Sequence, residues 1–174
     1  MNKGDFPEHI GSEVESLTPL HRRSGMPSQT LLTKAPIQPA LVICCKDYRY
    51  IQPIQRFVKR RLGIRWYDLK ATAGGVRAML ESPRIVRQWI LRDIDLVYRL
   101  HCVRRVILVH HEDCAAYGGS TKLGSLAKQR RFHRTELRRA ARVLRRQFPD
   151  LTIHGFMASG YPAAVRIVPI LLRV

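Results

Sequence analysis

Acidic residues are scarce in this chain of 174: 13 Asp and Glu stand against 31 Lys and Arg, for a formal net charge of +18. The plainer reading of an imbalance of that size is a solvated basic face. Such a surface also attracts nucleic acid, anionic membrane or acidic partners without regard to their sequence. Long apolar runs are also missing, and none nears the roughly 18 residues of a membrane helix. The N-terminus lacks the basic, apolar and small succession of a secretory leader. Cysteine is limited to Cys44, Cys45, Cys102 and Cys114. With two of the four adjacent, they make a poor disulfide framework. A reducing, cytoplasmic compartment is expected, with metal binding or catalysis as the use of the thiols. No G-x-G-x-x-G follows the first strand and no phosphate loop occurs, so nucleotide binding has no support.

The charge is uneven. Residues 1–36 carry four basic and four acidic residues, are rich in Gly, Ser, Pro and Thr, and read as a flexible N-terminal arm. Residues 37–174, entered at Pro36 and Pro39, hold the basic excess and read as one domain. Its pattern alternates. Residues 40–45, "ALVICC", suit a strand buried on both faces. A helix follows over 51–62, with Ile54, Phe57, Val58 and Leu62 on one face and Pro53 in its first turn. Residues 65–72 are a second strand and 73–80 a glycine loop. A helix over 82–100 has Ser82 as N-cap, Pro83 at its first position, and Val86, Trp89, Ile90, Asp93, Val97 and Leu100 along one side. Residues 104–111 form a third strand, 122–148 a long basic helix and 151–158 a fourth strand. The last residues fit an edge strand or a short helix. The alternation predicts an α/β domain whose central, mostly parallel sheet has the order 2-1-3-4 with flanking helices.

Open parallel sheets bind ligands beyond the carboxyl ends of their strands, where chain order reverses. In this order the reversal lies between strands one and three. Strand one ends in "CCKDYR" and strand three in "HHEDC", so Cys45, His111 and Cys114 can converge there. Two thiolates and an imidazole are a good zinc set, and three ligands leave the fourth tetrahedral position open, as catalytic zinc requires. Asp47, two residues from Cys45, is placed to accept a proton near the ion. Arg49 can hold Asp47 by a bidentate contact and keep it ionised.

Together the motifs C-K-D-Y-R (45–49) and H-E-D-C (111–114) resemble the C-x-D-x-R and H-x-x-C of β-class carbonic anhydrases. Residues 73–75, "AGG", resemble the end of that family's R-N-A-G loop, and 148–160 its closing strand and turn. The resemblance implies that Cys45, His111 and Cys114 ligate zinc, that Asp47 and Arg49 are the catalytic dyad, and that Gly74 and Gly75 belong to the substrate-pocket loop. It implies an enzyme in which zinc-bound hydroxide converts carbon dioxide reversibly to bicarbonate. It also implies a homodimer or higher homo-oligomer, with no membrane partner. Ala71-Thr72 replace the family's Arg-Asn, and Ala115 replaces a Gly. Two alternatives stay open: hydrolysis of carbonyl sulfide or carbon disulfide, and a catalytically silent zinc domain that binds nucleic acid or an acidic partner.

Elsewhere the plainer readings apply. Cys44 alternates away from Cys45 and belongs to the core. Cys102 is a structural residue. His110 alternates away from His111 as a packed neighbour. His101, His133 and His154 carry no motif. Residues 128–148 hold nine basic residues and one acidic, with Phe132, Leu137, Ala140, Ala141, Leu144 and Phe148 as the buried stripe. Any nucleic-acid contact of that basic face is expected to be weak and non-specific.

Overall fold

In the computed structural model, residues 39–81 and 83–172 are described; Ser82 and the segment read as an arm, 1–36, lie outside them. Five strands, β1 (Ala40–Cys45), β2 (Tyr67–Thr72), β3 (Arg105–His111), β4 (Thr152–Ser159) and β5 (Arg166–Ile170), form one sheet of order β2-β1-β3-β4-β5. The first four are parallel in the predicted order. The tail resolves as an antiparallel edge strand on β4. The helices are α1 (Tyr48–Arg60), α2 (Arg77–Glu81), α3 (Arg84–Leu100), α4 (Gly119–Leu123) and α5 (Leu126–Gln147).

The buried strands follow the period-two rule. Leu41 and Ile43 of β1 join Val106, Leu108 and Ile153 in a core shared with α2, α3 and α5. Val42 and Cys44 join Ile107, Val109 and Phe156 in a second core beneath Tyr50, Ile54 and Val58 of α1. Cys44 is therefore core, where burial pushes its thiol up to about 12.

Several expected boundaries need correction. Helix α1 begins at Tyr48, because the Asp47 carboxylate caps it by accepting from Arg49 N at 3.0 Å. That places Pro53 inside the helix rather than in its first turn. The glycine segment carries a short helix, α2, after its turn. Pro83 is the residue flanking α3 rather than its first helical residue. The face of α3 is also rotated from the expected one. Ile90 and Ile94 are buried, whereas Trp89 is 62% exposed and Leu100 59%. Trp89 instead lies under the Lys70 ammonium of β2. The long basic helix is broken at Gly124, which takes φ +74°, and restarts with Ser125 accepting from Lys128 N. Cys102 is exposed at φ +52° in the link between α3 and β3, so it is not a packing residue.

Candidate metal centre

The strand ends position the site. Cys45 is the last residue of β1 and His111 the last of β3, on neighbouring parallel strands. Cys114 follows after a tight turn in which Asp113 takes φ +52° and a 3₁₀ turn begins at Ala115. The ligand atoms of Cys45, His111 and Cys114 lie within 4.8 Å of one another, and all three residues are buried.

This donor set fits a tetrahedral metal ion. Two thiolates at about 2.3 Å from zinc stand about 3.8 Å apart, and Cys45 Sγ and Cys114 Sγ are 3.9 Å apart. His111 Nδ1 lies 2.7 Å from the Glu112 carbonyl oxygen. Only a protonated Nδ1 can donate there, which leaves the lone pair on Nε2. Nε2 is buried and has no hydrogen-bond partner. The Tyr50 ring stacks on His111 at 4.4 Å between centroids and fixes its plane.

The thiols are a coupled pair. The contact from Cys114, with His111 and the Gly74 N–H at 3.3 Å, holds Cys45 well below the ordinary thiol range. The same contact and burial push Cys114 up. Gly74 and Gly75 lie beside Cys45 with φ +72° and +59°. A Cβ on Gly75 would stand 3.2 Å from the Cys44 carbonyl carbon. The loop is closed by Thr72, whose Oγ1 donates to Gly75 O at 2.7 Å.

Asp47 lies beside the trio, with Oδ2 3.9 Å from His111 Nε2. Arg49 grips its carboxylate, Nε at 3.0 and 3.1 Å from the two oxygens and NH2 at 2.7 Å from Oδ2. These bonds hold Asp47 below the ordinary carboxylate range.

Four neighbours were not singled out from the sequence. Asp113 presents Oδ2 3.6 Å from Arg49 NH1, while its Oδ1 accepts from Ser120 N at 2.8 Å. Gln129 of α5, itself buried, accepts from Asp113 N at 2.7 Å and donates to Gly124 O. His133 is buried with Nδ1 2.9 Å from Nδ1 of His110. Tyr117 packs against both rings. A signal for Gln129 and His133 existed: they continue the buried stripe of Leu137, Ala140 and Leu144 at helical spacing.

Among the described residues, no helix is long and apolar enough to cross a membrane. The fold is similar to one of the tetrameric β-carbonic anhydrases of the filamentous ascomycete Sordaria macrospora, at 14% identity and TM-score 0.51, covering 76% of this chain and 81% of that one. Among curated proteins the chain is similar to an uncharacterized protein of Rickettsia conorii, 25% identical over 122 residues, covering 67% of this chain and 65% of that protein. A second uncharacterized protein, from Rickettsia bellii, is 25% identical over 122 residues, covering 67% of this chain and 74% of its own length. Residues 37–167 match the family described as "Putative carbonic anhydrase". That match takes in more than half of the chain, and on it the chain belongs to this carbonic anhydrase family.

Proposed function

We propose that the protein is a zinc-dependent carbonic anhydrase, catalysing the reversible hydration of carbon dioxide to bicarbonate. The observation that carries this reading is an ionised, arginine-held carboxylate, Asp47, beside three convergent soft and borderline donors. A purely structural zinc site needs no such carboxylate.

In this reading Cys45, His111 and Cys114 hold the ion through Sγ, Nε2 and Sγ. When bound, zinc supplies the Lewis acidity that makes water a nucleophile at neutral pH. The chain's own groups do the rest. A carboxylate oxygen of Asp47 would accept a hydrogen bond from the attacking oxygen and so orient that oxygen toward carbon. Arg49 fills the outer side of the carboxylate, which keeps Asp47 charged and its rotamer fixed. The Glu112 carbonyl holds the tautomer of His111. Gly74 supplies an N–H to Cys45, which tempers the thiolate. The proton lost when water becomes bicarbonate leaves to solvent or buffer.

Two further parts belong to this reading. One is a homodimer or higher assembly; the fold shared with tetrameric enzymes of Sordaria macrospora supports it. The other is a cytoplasmic location, for which the four free cysteines give support, since they suit a reducing compartment.

Metal analysis tests the ligand set. The purified protein should hold close to one zinc per chain. Cys45→Ser and Cys114→Ser should lose it, because a neutral hydroxyl replaces a thiolate poorly. Cys44→Ser should retain it. Loss of zinc in Cys44→Ser with retention in Cys45→Ser would remove Cys45 from the site.

A further inference from the structure

The helix that Asp47 caps carries a second feature, a groove that Arg49 also lines, its guanidinium 5.7 Å from the Tyr161 ring. Between α1 and the segment joining β4 to β5 runs an open groove of about 960 Å³. Arg56, Arg60 and Arg61 border it from the helix side and Arg166 from β5, while Tyr48 and Tyr161 also line it. No acidic residue among the described ones lines it. Among the described residues, none of these four arginines has a carboxylate within 4.0 Å. Arg77, Arg99 and Arg139 elsewhere are each paired with a neighbouring acid. The two tyrosines are 81% and 44% exposed.

Four guanidinium groups with no carboxylate partner among the described residues repel one another around one concavity, and a bound polyanion relieves that repulsion. Arg56 and Arg60 are one helical turn apart, a rise of about 6 Å, comparable to the step between successive phosphates on an extended strand. Exposed aromatic faces beside a cationic track are what unstacked bases use, whereas bases inside a duplex cannot reach them. The basic face of α5 differs. Its concavity holds about 210 Å³ and is lined by Arg87, Arg139, Arg142 and Arg146 with aliphatic neighbours and no aromatic ring. A second copy of this chain would bring like charge to the groove, which disfavours it as the occupant. We infer that the groove between α1 and β5 binds single-stranded nucleic acid, the arginines contacting phosphates and Tyr48 and Tyr161 stacking on bases.

The test is fluorescence anisotropy of the full, metal-loaded chain with a labelled oligothymidylate of about 20 nucleotides, from about 50 to 200 mM salt. Each phosphate neutralised on a single strand contributes about 0.7 to the slope of log K against log salt. Arg56→Gln with Arg60→Gln should therefore shrink the slope by about 1.4. Arg142→Gln with Arg146→Gln, on α5, should shrink it by less than half as much. Tyr48→Ala with Tyr161→Ala should weaken binding about thirtyfold or more at unchanged slope. Equal slope losses in the two arginine pairs would mean diffuse charge and overturn the groove. Wild-type affinity in the tyrosine variant would leave a phosphate contact without base stacking and overturn the single-strand assignment. A changed subunit number in Arg56→Gln/Arg60→Gln, read by sedimentation, would make a second copy the occupant and also overturn it.

Discussion

Asp47 serves two purposes with one side chain. Oδ1 caps α1 through Arg49 N, and the same carboxylate receives the Arg49 guanidinium while facing His111. Replacing Asp47 by Asn keeps a cap acceptor but removes the charge and turns one oxygen into a donor. Asp47→Asn should keep its zinc and lose roughly 10²–10⁴-fold in hydration rate, the range of a proton-handling group. Unchanged rate in the zinc-loaded variant would remove Asp47 from the mechanism. Asp113 is the lesser partner. Its Oδ2 stands 3.6 Å from Arg49 NH1 and is half exposed, an ion pair worth under about 1 kcal/mol. Asp113→Asn can still accept from Ser120 N. Its hydration rate should drop by no more than about fivefold, with zinc content unchanged. A loss as large as that of Asp47→Asn would make Asp113 an equal partner in holding Arg49.

At the scale of elements, α5 does more than cover the sheet. Its second half buries Leu137, Ala140, Ala141 and Leu144, whereas its first half buries Gln129 against Asp113 N and His133 against Tyr117, beside the turn that carries Cys114. Burial lowers His133 from the ordinary 6.5 to about 4. The sign follows directly. The unfolded chain protonates this imidazole below about pH 6.5 and the folded chain only near 4, so the unfolded state binds more protons between those values. The stability contributed by neutral His133 is present above pH 6.5 and lost as pH falls toward 4, by something on the order of 3 kcal/mol. His133→Gln keeps a polar partner for His110 and cannot titrate. Urea midpoints at pH 7 and pH 5 should therefore differ less in His133→Gln than in the parent. An identical pH dependence in both proteins would show that other groups govern acid sensitivity.

For the molecule as a whole, what the sequence disclosed follows from where periodicity is strict. Buried parallel strands alternate without exception, so Cys44 and Cys45 could be assigned to opposite faces, and strand order placed both strand ends at one switch point. Helix boundaries were less legible. The cap of α1 lay hidden within C-K-D-Y-R, because Asp47 read as a chemical group rather than as a helix start. The face of α3 misled because its apolar residues outnumber the buried positions. Trp89 and Leu100 share the helix with Ile90 and Ile94 but point to solvent. Gln129 and His133 stayed unassigned because polar residues on a buried stripe look like interruptions until the contacts that satisfy them are seen. The net charge of +18 is set by composition, but its grouping into an arginine-lined groove depends on α1 and β5 bordering one concavity. The measurement closest to the central proposal is stopped-flow hydration of carbon dioxide by wild-type protein with its zinc content determined on the same sample. Saturable hydration well above the buffer rate, proportional to bound zinc and removed by chelation, is the expected result. Fully zinc-loaded protein that hydrates carbon dioxide no faster than buffer would contradict it.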